Sequence, residues 1–130
     1  GAGCANSAGA GATLSRSGDA SVSSSTLVLE SAGLISGQPG LYFQGNNAIN
    51  AGGGNTFGDG LRCAGGSVIR LQVRAASGAG ASSTTANIAT KGAVSVGDVR
   101  RYQLWYRDPS ASPCGSGYNL TNGVEVTWGA

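Results

Sequence analysis

Residues 99–109, VRRYQLWYRDP, are the longest run of strand-favouring residues in the chain, and the run stops hard at Asp108-Pro109. Successive side chains of a strand point to opposite faces. Tyr102, Leu104 and Tyr106 therefore share one face, and Arg101, Gln103, Trp105 and Arg107 share the other. Aromatic rings on both faces need cover on both, which predicts a strand inside a sheet of an all-β domain. The same alternation allows a second role, an outer face on which Trp105 and Arg100, Arg101 and Arg107 bind a ligand.

The rest of the chain supplies strands to pair with it. Residues 12–17 (ATLSRS) read as a weak strand anchored by Leu14, and residues 26–30 (TLVLE) as a strong one with Leu27 and Leu29 on one face. Gln38-Pro39-Gly40 suits a type II turn leading into 41–44 (LYFQ). In 67–75 (SVIRLQVRA), alternation places Ile69, Leu71 and Val73 in the core and turns Arg70, Gln72 and Arg74 to water. Residues 88–96 read as a thin edge strand. Asn122-Gly123 is a hairpin-type turn before the last strand, 124–128 (VEVTW). The expected core is Leu27, Leu29, Tyr42, Ile69, Leu71, Val73, Leu104, Tyr106, Val124 and Val126.

No helix is expected. About seven to eight short strands, joined by long Gly-rich loops, predict an antiparallel β-sandwich of jelly-roll or Greek-key type. Residues 1–11 carry no periodicity and read as an irregular arm, leaving 12–130 as a single domain. Residues 45–60 are the longest loop candidate, with Ile49 and Phe57 expected to tack it down, and a loop of ~15 residues inside a small domain tends to be functional.

Composition narrows the function. Only 11% of residues are charged, the net charge is +2, and Arg100-Arg101 is the sole basic pair, which is no footprint for nucleic acid. No segment approaches the ~18 apolar residues that span a bilayer. Histidine is absent and no G-x-S-x-G elbow occurs, so a catalytic base, a serine nucleophile and a Cys/His zinc site all lack their parts. No catalytic residue is assigned. Glu30 and Glu125 lie in strong strands and are expected to face outward, keeping strands soluble or pairing with Arg70 and Arg74.

Four groups of residues remain as candidates. Cys63 and Cys114 flank strong strands and are expected to form a disulfide, which leaves Cys4 free or bonded to another molecule. Asp59, Asp98 and Asp108 sit at loops or turns where calcium is conceivable. No D-x-D-x-D-G loop exists, though, and each Asp is expected to serve its own turn, so neither a metal nor another cofactor is expected. Asn119-Leu120-Thr121 is a glycosylation sequon, expected in an exposed loop. Among the aromatics Tyr42, Trp105, Tyr106, Tyr118 and Trp128, most are expected to pack in the core. Trp105 and Tyr118, with Arg107, are the ligand-binding candidates.

Several stretches occur in an order that resembles a known family: GCANSAGAGATL, TLVLESAG, LYFQG, FGDGLRCAGGSVIRL, RRYQLWYRDP and CGSGYNLTNGVEVTW. The resemblance is to the Gly/Ser-rich C-terminal domain of large secreted proteins of planctomycetes and other environmental bacteria. It spans essentially the whole chain. That family has no established activity, so the resemblance implies an extracellular or cell-surface location and a β architecture, not a chemistry. In the family a cysteine-rich segment usually precedes the stretch matching GAGCAN, which implies that the usual partner of Cys4 is missing here or on another molecule.

Two functions from different classes follow as expectations. The first is a non-catalytic extracellular structural module that self-associates as a filament or surface-layer subunit, its arm 1–11 lying along the 88–96 edge of a neighbouring copy. The second is a carbohydrate-binding or adhesive module appended to secreted proteins. An aromatic strip beside the long loop would favour the second.

Overall fold

A computed structural model of the chain describes residue 6 and residues 11–48, 55–57, 60–62, 64–66, 68–108 and 117–130, with the side chains of 47–48, 55–57 and 60–62 left aside. The first half holds β1 (Thr13–Ser17), β2 (Val28–Ala32), β3 (Pro39–Gly45), β4 (Asn47–Ala48), β5 (Asn55–Phe57), β6 (Gly60–Arg62) and β7 (Ala64–Gly65). The second holds β8 (Ile69–Ala75), β9 (Ser82–Ser83), the helical turn α1 (Ile88–Lys91), β10 (Val99–Arg107), β11 (Tyr118–Leu120) and β12 (Val124–Thr127).

These elements build an antiparallel β-sandwich. One sheet runs β1-β2-β9; the other runs β11-β10-β3-β8, with β12 also paired to β10. β11 and β12 lie along the same edge of β10, beside Trp105–Arg107 and Val99–Tyr102 respectively. They behave as two halves of one interrupted strand. β10 is thus central, held by β3 on one side and by this broken strand on the other, as its two-sided aromatic pattern requires.

The core lies between the sheets. Leu14, Leu27 and Leu29 face Tyr42, Leu71, Tyr102, Leu104, Tyr106 and Val126, all buried, while Ile69 and Val124 are partly buried against them. Each fully buried aliphatic side chain contributes roughly 1.5–3 kcal/mol. Three tyrosines occupy this apolar layer because each hydroxyl finds a partner at its far side. The Tyr42 hydroxyl lies 2.9 Å from Ser31 Oγ and 2.6 Å from Ser82 Oγ, which ties the two sheets together. Tyr102 donates to Gln44 Oε1 at 2.8 Å and accepts from Trp128 Nε1 at 3.0 Å. Burial pushes the Tyr102 phenol up to about 12, because the ion would lose its water. The Tyr106 hydroxyl accepts from Asn6 Nδ2 at 3.1 Å.

Asn6 also donates to Gly33 O at 2.6 Å and is itself buried. Asn6 of the 1–11 segment is therefore seated in the body of its own domain.

Four expectations are corrected. Residues 88–96 are not a strand: α1 opens on Asn87, whose side chain accepts from Thr90 N, and ends at Gly92. The stretch therefore offers no strand edge to an arm. The turn before β3 lies three residues earlier than Pro39-Gly40, at Ser36-Gly37, with Gly37 at φ 74 and Gln38 N donating to Ile35 O at 3.1 Å, the positive φ that a type II turn demands at its third residue. The expected loop 45–60 instead carries β4 and β5, which pair with β7 and β6. Ile49 lies outside the described residues, as does the side chain of Phe57.

The fourth correction matters most for function. Gln44 pairs with Ile69 and Phe43 with Arg70, but Tyr42 pairs with Gln72, so Leu71 is an extra residue in β8. A bulge of this kind shifts the strand's alternation by one. Leu71 stays in the core, while Val73 turns outward opposite Leu41 and is 64% exposed. Gln72 turns the other way, and its Oε1 accepts from Thr85 N and Ala86 N at 2.9 and 3.1 Å.

Candidate functional site

The outer face of the five-stranded sheet can be read as rows of directly paired residues, which share a face. One row runs Leu120, Trp105, Leu41, Val73. The row on one side of it holds Gln103, Phe43 and Arg70. The row on the other holds Tyr118 and Arg107.

Part of this face is roofed. β7 runs over β10 and β3, and β6 runs beside β11. Phe43, Ala64 and Leu120 form a small second core there, with Trp105 packed at its margin. Gln103 is fully buried beneath the roof. It donates to Thr121 O at 2.6 Å and accepts from Ala64 N at 3.3 Å, so one side chain holds both the roof and the edge strand. Arg101 adds a tie at the root of the roof, donating to Asn46 O at 2.9 Å.

Beyond the roof no described residue covers the sheet. A shallow groove of about 210 Å3 lies between Leu41, Val73, Trp105 and Arg107, with Pro39 at its end. The Trp105 and Tyr118 rings meet edge to face, centroids 5.7 Å apart and planes at 70°, the geometry their quadrupoles favour. The three residues singled out from sequence as ligand candidates, Trp105, Tyr118 and Arg107, thus stand together on one open patch. Sequence reasoning missed Leu41 and Val73. Only a bulge turns Val73 outward, and alternation alone carries no sign of it.

The other candidates lie elsewhere. Asp98 and Asp108 bracket the nine residues of β10, roughly 30 Å apart at strand rise, so they cannot share a cation. Asp98 Oδ2 accepts from Ser95 N at 2.8 Å and pairs with Arg100 at 3.0 Å; Asp108 is fully buried, its N–H bonded to Gly117 O. Among the described residues no cluster of three or more His, Cys, Asp or Glu forms. Asp59, Cys4, Cys63 and Cys114 lie outside the described residues.

Asn119 is not in an exposed loop. It belongs to β11, is 2% exposed, and its Oδ1 accepts from Leu120 N. Thr121 of the same sequon is buried, with Oγ1 accepting from Leu104 N, so the folded domain does not present this triplet to a modifying enzyme.

The two strand glutamates do face outward, but neither pairs with Arg70 or Arg74. Glu125 meets Arg101 at 3.2 Å, and Glu30 accepts from Ser17 Oγ at 2.6 Å.

The groove offers an apolar floor, an aromatic wall and a guanidinium at the rim. No helix among the described residues is long and apolar enough to cross a membrane. No protein-family model, curated protein or solved structure matches the chain.

Proposed function

We propose that this domain is a non-catalytic extracellular recognition module that holds carbohydrate on the outer face of its five-stranded sheet. The observation that carries the reading is the groove beside Trp105, Tyr118 and Arg107, next to the part of the face roofed by β6 and β7. An indole beside an apolar floor suits the C–H face of a sugar ring, and a nearby guanidinium supplies donors for its oxygens. The extracellular setting rests on the family resemblance, as does attachment to a larger secreted protein.

Affinity electrophoresis through gels containing soluble polysaccharides tests this. The intact domain is retarded by at least one of them, and Trp105→Leu, which keeps most of the buried volume, removes the retardation. Equal mobility in every gel contradicts the reading.

Self-association into a structural assembly is the second reading. It is favoured by β8, which ends its sheet with no further strand paired to it among the described residues and carries the exposed Val73. Such an edge can accept a strand from another copy. Light scattering across a concentration series, with Val73→Lys as the blocking variant, separates the two readings: an assembly that Val73→Lys disperses supports self-association.

A further inference from the structure

We infer that the groove takes an acidic polysaccharide, a chain bearing carboxylate or sulfate groups, laid across the outer face from Arg107 toward Arg70. This rests on the reading of the groove as a saccharide site and adds the charge class of the ligand.

Few described acids are available to pair with the arginines of the outer face. The described residues hold five: Asp19, Glu30, Asp98, Asp108 and Glu125. Asp98 is taken by Arg100 and Glu125 by Arg101. Glu30 lies on the other sheet, bonded to Ser17, and Asp108 is buried. Asp19 follows the end of β1, also in the other sheet.

Two exposed arginines of the outer face remain. Arg107 lines the groove, and Arg70 sits in the row on its far side. No carboxylate among the described residues pairs with either. By strand rise and strand spacing their Cα atoms stand roughly 16 Å apart, with Trp105, Leu41 and Val73 between them. A face with two uncompensated guanidiniums and no free acid among the described residues carries a positive potential that selects anions. Guanidinium groups also fit carboxylate and sulfate oxygens in forked pairs.

Shape then separates a polysaccharide from a small anion. The groove is open, and its 210 Å3 falls below the roughly 300 Å3 at which enclosed small-molecule pockets begin. It accommodates one ring of a longer chain, and the arginines on either side reach the acidic groups of neighbouring rings. Isolated anions would meet one arginine only and no apolar contact.

The test measures binding of the intact domain to polygalacturonate, dextran sulfate, neutral dextran and polyglutamate by titration calorimetry, at low and at high salt. The expected result is binding to one or both acidic polysaccharides, weakened by salt, and none to neutral dextran. Arg107→Gln and Arg70→Gln, both exposed and free of packing roles, each weaken it by about tenfold, the scale of one lost charge-assisted hydrogen bond. Polygalacturonate against dextran sulfate tells carboxylate from sulfate. Binding to neutral dextran that is insensitive to salt and to both arginine variants overturns the acidic ligand while leaving a saccharide site standing. Polyglutamate binding as tightly as the polysaccharides overturns both, as does the absence of binding to all four polymers.

Discussion

Asn122 completes the edge of the sandwich by holding both backbone polar groups of Leu14. Its Oδ1 accepts from Leu14 N at 2.8 Å and its Nδ2 donates to Leu14 O at 3.1 Å. A side-chain amide thereby imitates one rung of a ladder between β1 and the break separating β11 from β12. Asn122→Ala is expected to cost about 1–2 kcal/mol in urea unfolding, because two partly buried backbone groups lose their partner. Asn122→Asp at neutral pH is expected to cost at least as much, since a carboxylate oxygen would face the Leu14 carbonyl. Unchanged stability in both variants would mean that the rung is not formed.

The bulge at Leu71 makes a contrast between close neighbours. Leu71→Ala should destabilise by ~2–5 kcal/mol, the cost of a core cavity, whereas Val73→Ala should stay within about 0.5 kcal/mol, as for an exposed site. Similar losses at the two positions in denaturant titrations would restore the simple alternation and remove Val73 from the groove.

That contrast also marks what the sequence discloses. The central place of β10 is legible because Tyr102, Leu104 and Tyr106 alternate with Gln103 and Trp105, and both faces proved to be covered at Gln103. The grouping of Trp105, Tyr118 and Arg107 is half legible: their residue types are suggestive, but their adjacency comes from the pairing of β11 with β10. The bulge in β8 is a property of its register against β3, so nothing within the β8 stretch announces it. The helical turn at 88–91 is too short to show a period. Asn87 as its cap was the available signal, since its side chain serves the third residue of the turn.

Gly45 lets the roof approach the sheet. A Cβ there would meet Gly65 O and lie 2.5 Å from Gly65 N, both backbone atoms that cannot swing aside. Gly45→Ala should cost about 1–3 kcal/mol as an overpacked contact and speed hydrogen exchange at the Ala64 amide. Gly78→Ala, with nothing within 4 Å of the new methyl, is the neutral control. If Gly45→Ala leaves stability and exchange unchanged, β7 does not pack against β3 this closely.

Alkaline titration should find Tyr102 ionising late. Tyr102 holds its proton to about 12 in the folded domain, against about 10 in the unfolded chain. Below pH 10 both states keep the proton and the contribution to stability is whole. Between 10 and 12 the unfolded chain ionises first, so stability falls as pH rises, by about 2–3 kcal/mol across the window. Tyrosinate absorbance followed alongside unfolding should show this coupling, and Tyr102→Phe should remove it. Tyr102 titrating near 10 in the folded protein would refute it.

The central claim, that the open groove at Trp105 is a binding surface, is tested most directly by the indole N–H signals in a proton–nitrogen correlation spectrum. The chain has two tryptophans, and they are placed oppositely: Trp105 at the groove, Trp128 buried with Nε1 bonded to the Tyr102 hydroxyl. Titration with polygalacturonate oligomers, and in parallel with dextran sulfate oligomers, should with at least one of them shift the Trp105 indole signal and the amides of Leu41, Val73 and Arg107, leaving the Trp128 signal in place. A spectrum unmoved by either oligomer at saturation, or shifts confined to residues away from the groove, would contradict the account.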